Sequence, residues 1–151
     1  MYLRKFSLDG TVGIVTGGGQ GLGRVYCHAL AEAGADIVVA EVQPDSGEET
    51  AEQVRGLGRR GLAVETDVRR SDSIERMVER TLSEFGKIDF LINNAARARV
   101  CPSADVSEEE WREVFELNLH GVMARCQAVG RHMIERKSGA SSTLRRSLGT
   151  F

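Results

Sequence analysis

Thr16-Gly17-Gly18-Gly19-Gln20-Gly21-Leu22-Gly23 is the stretch on which the reading of this chain turns. An apolar run, Val12 to Val15, precedes it, and a helical pattern of Leu22, Val25, Tyr26, Ala29, Leu30 and Ala33 follows it. A strand, a glycine turn and a helix in that order make a phosphate site. The glycines permit the tight turn and let the backbone approach a pyrophosphate, and the helix start offers free N–H groups and a partial positive charge. The spacing therefore points to a nucleotide ligand held by Gly17, Gly19, Gln20, Gly21, Leu22 and Gly23. The same stretch holds half of a P-loop, Gly18-x-x-x-x-Gly23. Arg24 and Val25 stand where that motif needs Lys and then Ser or Thr, which removes the P-loop reading.

Outward from the turn the pattern alternates. The first helix stops at Gly34, a natural C-terminal cap, and Asp36–Ala40 is a second β-branched run. Residues 46–56 are charged and helix-prone, and Leu62–Glu65 reads as a third strand. Asp72 and Glu75 resemble a capping pair before a stripe of Ile74, Met77, Val78, Leu82 and Phe85. Phe90–Ile92 is a fourth strand. Ser107 and Glu110 form a capping box for one long helix with the stripe Trp111, Val114, Phe115, Leu119, Val122, Met123 and Cys126. Four βα units predict an α/β, Rossmann-type doubly wound parallel sheet in three layers, with right-handed crossovers. After residue 137 the pattern fails. Residues 1–139 therefore read as one dinucleotide-binding domain, and 140–151 as an irregular tail.

The bulk numbers narrow the partners. At 151 residues, 28% charged and with net charge -2, the chain lacks the basic balance of a nucleic-acid binder. No apolar run is long enough for a bilayer, and the start lacks the apolar core of a signal peptide, so the expectation is a cytoplasmic protein without a membrane partner. Cys27, Cys101 and Cys126 are widely spaced and odd in number. They read as reduced thiols, with neither a disulfide framework nor a metal site. His28, His120 and His132 share no metal-ligand spacing and read as surface or packing residues.

Candidate site residues cluster at the C-terminal ends of the expected strands. Glu41 lies eighteen residues after Gly23, where an acidic side chain accepts hydrogen bonds from adenosine ribose hydroxyls and repels a 2′-phosphate. Gln20 and Val42 supply no positive charge for such a phosphate, so NAD is preferred over NADP. Asp67 and Val68 either hold an adenine or belong to the start of a helix. Asn93-Asn94-Ala95-Ala96 either lets a cofactor approach closely or serves turn geometry, which Asn tolerates. Asn118 interrupts an apolar stripe. A buried amide without partners costs about 1–3 kcal/mol, so it must have partners, either backbone and water or a catalytic group.

Together these motifs resemble the short-chain dehydrogenase/reductase family over roughly Phe6 to Gly139. Leu8-Asp9-Gly10 leads into the first strand, and Thr16-Gly17-x-x-x-Gly21-x-Gly23 is similar to the cofactor motif. Asp67-Val68 is similar to the adenine contact and Asn93-Asn94-Ala95-Ala96 to an Asn-Asn-Ala-Gly segment, with Ala96 in place of glycine. Trp111 through Asn118-Leu119-His120-Gly121 resembles the fourth helix. The resemblance implies hydride transfer between an alcohol or carbonyl substrate and nicotinamide. It implies that Asn118 belongs to a catalytic tetrad with Ser, Tyr and Lys, anchoring a proton-relay water. It also implies a helix-bundle dimer contact, hence a possible homo-oligomer. The family's Tyr-x-x-x-Lys is absent: the only tyrosines are Tyr2 and Tyr26, followed four residues on by Phe6 and Leu30. Two rivals are a non-catalytic nucleotide-binding or interaction protein, and a methyltransferase using Gly17-x-Gly19-x-Gly21 and Glu41 for S-adenosylmethionine. Asp67-Val68 and Asn93-Asn94-Ala95 suit a dinucleotide better.

The tail carries one more expectation. One permitted set of codons for Ser141 to Gly149, with a single base restored after Ala140, reads Ala-Ile-Val-Asn-Ile-Ala-Ser-Val-Ala-Gly. That resembles the family's fifth strand with its Ser, so the hypothesis is a frameshifted, truncated chain whose fourth strand has lost a neighbour. The coding DNA tests it: codons that cannot give this strand in the other frame would reject the idea.

Overall fold

The computed structural model describes residues 6–98 and 101–143. Its elements are β1 (Val12–Thr16), α1 (Gly21–Glu32), β2 (Asp36–Glu41), α2 (Pro44–Gly56), β3 (Gly61–Glu65), α3 (Ser71–Phe85), β4 (Phe90–Asn93), α4 (Glu108–Phe115), a π turn (Glu116–His120), α5 (Gly121–Glu135) and β5 (Ala140–Thr143). The five strands are parallel in the order β3-β2-β1-β4-β5. This is the Rossmann-type sheet that the βα alternation requires.

Side chains alternate across the sheet, and both faces of its central strands are covered. Val12, Ile14, Val38 and Leu91 pack with Ile74, Met77 and Val78 of α3 and Val129 and Met133 of α5. Val15, Ile37, Val39 and Phe90 pack with Cys27 and Ala31 of α1 and Ala51 and Val54 of α2. Three layers result. The chain winds outward from β1 to β2 and β3, then crosses back to β4 on the other side of β1, and the strand ends on either side of that switch form a crevice.

Four local expectations need correction. Asp72 does not cap α3: the N-cap is Arg70, which makes no side-chain cap bond, and the Asp72 carboxylate instead pairs with Arg70 and Arg76. The helix opened by the Ser107–Glu110 capping box is not continuous, because the π turn separates α4 from α5. Its apolar stripe is largely solvent-facing, with Trp111, Phe115, Leu119 and Met123 all exposed. Finally, Ala140–Thr143 is not irregular. It pairs with β4, Phe90 opposite Ala140 and Asn93 opposite Thr143, so the open edge lies at β5 and not at β4. All four β5 side chains are exposed, so backbone pairing forms this strand and leaves no apolar period to read. Residues 144–151 of the expected tail lie outside the described residues.

Candidate nucleotide site

The glycine turn is built for close approach. Gly17 has φ 64°, a left-handed conformation that a side chain resists, and a Cβ there would stand 3.0 Å from Ala95 Cα. A Cβ on Gly23 would lie 1.9 Å from the Gly17 carbonyl oxygen, so α1 sits against the turn only because residue 23 has none. Gln20 is the N-cap of α1 and makes no side-chain cap bond, so no side chain caps the first-turn N–H groups at the cleft that Gln20 and Gly21 line.

Asn94 holds the turn from the β4 side. Its Nδ2 donates to the carbonyls of Thr16 and Gly17, each at 3.0 Å, while the N–H groups of Asn94 and Ala95 donate to Thr16 Oγ1 at 3.2 and 3.1 Å. Asn93 points the other way. Its Oδ1 accepts from Arg125 Nε at 2.8 Å, and its Nδ2 lies 3.4 Å from both Ser141 Oγ and Thr143 Oγ1. The paired amides thus divide the work between the glycine turn and the β4–β5 edge.

Glu41, at the end of β2, is 5% exposed. Its Oε2 accepts from Gly19 N–H at 3.0 Å, and its Oε1 accepts from Val42 and Gln43 N–H at 2.9 and 3.3 Å. Oε1 is thereby filled, and Oε2 keeps one acceptor position. After β3, Asp67 Oδ1 accepts from Arg69 N–H and Nε at 3.0 and 2.9 Å, and Oδ2 from Arg69 Nη2 at 2.7 Å. The Arg69 guanidinium holds the Asp67 carboxyl below the usual carboxylate range, and Asp67 in turn raises Arg69.

These groups line one open cleft of about 480 Å³. Of the residues assigned from sequence, Gly17, Gln20, Gly21, Glu41, Asp67, Val68, Asn94, Ala95 and Ala96 wall it. Gly19 lies behind Glu41 and Gly23 behind Gly17, one layer back. Leu22 is exposed on α1 and is not among the lining residues. Asn118 is half-buried in the π turn and also outside the wall. Its Oδ1 accepts from Arg97 N–H at 3.0 Å and its Nδ2 donates to the Arg97 carbonyl at 2.7 Å, so its partners are backbone. Arg69, Arg97, Glu113 and Leu117 line the cleft without having been assigned from sequence. Arg69 directly follows Asp67-Val68, and Glu113 and Leu117 stand four apart on one helical face, which are the signals that could have found them.

His28 meets Gln53 and His120 meets Glu116. Among the described residues no group of three His, Cys, Asp or Glu could hold a metal ion, and no helix is long and apolar enough to cross a membrane.

A parallel sheet with a glycine turn, an uncapped helix start and an acidic residue at the next strand end defines a Rossmann-type nucleotide-binding protein. The short chain dehydrogenase family model matches residues 11–141, and the chain belongs to that family. It is similar to a short chain dehydrogenase/reductase of Aspergillus oryzae, 43% identical over 91% of this chain and 54% of that one. It is also similar to 2-dehydro-3-deoxy-D-gluconate 5-dehydrogenase of Escherichia coli, 42% identical over 92% of this chain and 54% of that one. Among solved structures, an NAD+-bound xylitol dehydrogenase superposes with TM-score 0.87 at 30% identity, covering 92% of this chain and 53% of that one. The chain spans about half the length of the curated relatives it matches.

Proposed function

We propose that this chain binds NAD, in preference to NADP, as the nucleotide-binding part of an oxidoreductase acting on alcohol and carbonyl groups of small molecules. Bound nicotinamide would supply hydride transfer. The glycine turn and α1 start would hold the diphosphate, Asp67 and Val68 the adenine, and Ala95 and Ala96 would admit the cofactor closely. The observation that carries the reading is Glu41. Its carboxylate is buried in the cleft wall with one acceptor position left on Oε2, which suits a ribose hydroxyl and rejects a phosphate. Among the described residues, the guanidinium groups that line the cleft, Arg69 and Arg97, are each paired with a carboxylate, Asp67 and Glu113, and so are not poised for a 2′-phosphate.

Asn118 is proposed as the tetrad residue. Each of its amide atoms keeps one hydrogen-bonding position beyond Arg97, which a proton-relay water can use. The relatives' names, a sugar acid and a polyol dehydrogenase, make a small polyhydroxylated compound the favoured substrate class. A polypeptide of these 151 residues carries no Tyr-x-x-x-Lys, so cofactor binding without turnover is expected of it. The exposed stripe of α4, the π turn and α5 is proposed as a contact between copies.

Calorimetric titration with NAD and NADP tests the reading. NAD should bind at least tenfold tighter, about 1.4 kcal/mol, and Glu41→Ala should erase most of that difference. Equal or tighter NADP binding by the unmodified chain would overturn the assignment, and NADH formation from any alcohol would overturn the loss of turnover.

A further inference from the structure

We infer that Arg69 is the plate on which the adenine ring stacks, a role that rests on the NAD reading above. The cleft wall runs in order from the glycine turn after β1, through Glu41 at the end of β2, to Thr66, Asp67, Val68 and Arg69 after β3. A dinucleotide with its diphosphate on the turn and its adenosine ribose on Glu41 carries its purine outward to the β3 end. There the Arg69 side chain is held by two parallel bonds, Nε to Asp67 Oδ1 at 2.9 Å and Nη2 to Oδ2 at 2.7 Å. A fork of this kind fixes the plane of the guanidinium as well as its place. A fixed, half-exposed cationic plane at a cleft wall is a surface for the π face of a base, which a lysine ammonium cannot reproduce.

The other lining groups agree. Glu113 is held by Arg97 at 3.1 Å and does not draw Arg69 away from Asp67. Leu117 and Val68 add apolar wall for the ring. The Asp67 carboxylate lies in the plane of the fork and extends the flat surface that the base meets.

The test is calorimetry on the full 151-residue chain, as wild type, Arg69→Lys and Arg69→Ala, with ADP-ribose and with inorganic pyrophosphate, which fits the turn and has no base. Both variants should lose ADP-ribose affinity by roughly three- to thirty-fold, the range of a cation–π contact. Arg69→Lys should leave pyrophosphate binding unchanged. Wild-type ADP-ribose affinity in Arg69→Lys would reduce Arg69 to a general positive charge and overturn the inference. So would equal weakening of both probes, which marks a disturbed site. Failure of the wild type to bind ADP-ribose would overturn the NAD reading itself, and is told apart from the other outcomes by the unmodified chain alone. Arg69 lies on the surface, and matching far-UV circular dichroism of the three proteins verifies that the fold is kept.

Discussion

Arg125 is the largest fully buried side chain among the described residues, and only its Nε has a partner, Asn93 Oδ1. Its two terminal nitrogens are buried with no partner among the described residues, and burial pulls the guanidinium down to about 10. A cation buried with no carboxylate partner among the described residues opposes folding, because a desolvation cost of several kcal/mol is not repaid by an attraction. Arg125→Met should therefore raise urea-unfolding stability by about 1–3 kcal/mol, less whatever Asn93 loses; an unchanged or lower midpoint would show that water or an ion satisfies the guanidinium. Cys27 carries the opposite lesson. It is buried under Gly18, and desolvation pushes its thiol from 9.0 up to about 12. A raised folded value means a stabilising contribution complete below 9.0 and lost as pH climbs from there towards 12. Cys27→Ala should flatten that alkaline limb in pH-dependent melting, and in the native wild type Cys27 should resist iodoacetamide at neutral pH while Cys101 and Cys126, both partly exposed, react. An alkylated Cys27 in native protein would contradict this.

At the level of elements, what was legible in the sequence is what local chemistry dictates. The turn at Gly17–Gly23 announced itself because both the left-handed φ at residue 17 and the 1.9 Å approach at residue 23 demand glycine. The Ser107–Glu110 box was legible because its two bonds join residues three apart, Ser107 Oγ to Glu110 N–H and Glu110 Oε2 to Ser107 N–H, both 3.2 Å. Ser107→Ala should cost about 1 kcal/mol by thermal or chemical melting. A loss near zero would mean that tertiary contacts, not the cap, hold the start of α4. The π turn was not legible, since it inserts its extra residue where Asn118 reaches back to Arg97, twenty-one positions away, and no periodicity encodes such a contact. The same holds for β5, whose pairing is backbone to backbone, and for Arg69, whose place in the cleft comes from the β3 end meeting the β2 end. The Glu41–Gly19 bond likewise spans twenty-two positions, so the sequence could place Glu41 at a strand end without showing that it braces the turn.

For the whole molecule, one helical segment serves two surfaces. Glu113 and Leu117 face the cleft, while Trp111, Phe115, Leu119 and Met123, at intervals of four, face solvent at 57%, 39%, 56% and 58% exposure. Trp111 and Phe115 already touch, ring centroids 4.6 Å apart. A contiguous apolar strip of this kind on a globular protein favours association, because covering it removes apolar surface from water at about 25 cal/mol per Å². Copies should therefore associate through this face in a concentration-dependent way by sedimentation velocity, with a blue shift of Trp111 emission as the strip is covered. The double variant Leu119→Arg, Met123→Glu should shift the distribution to monomer and cancel the blue shift. NAD affinity should fall by less than about threefold, under about 0.7 kcal/mol, because the altered side chains point away from the cleft. Monomeric sedimentation of the unmodified chain throughout a concentration series would remove the association. A large loss of NAD binding in the double variant would instead show that the two surfaces of the segment are coupled through the π turn.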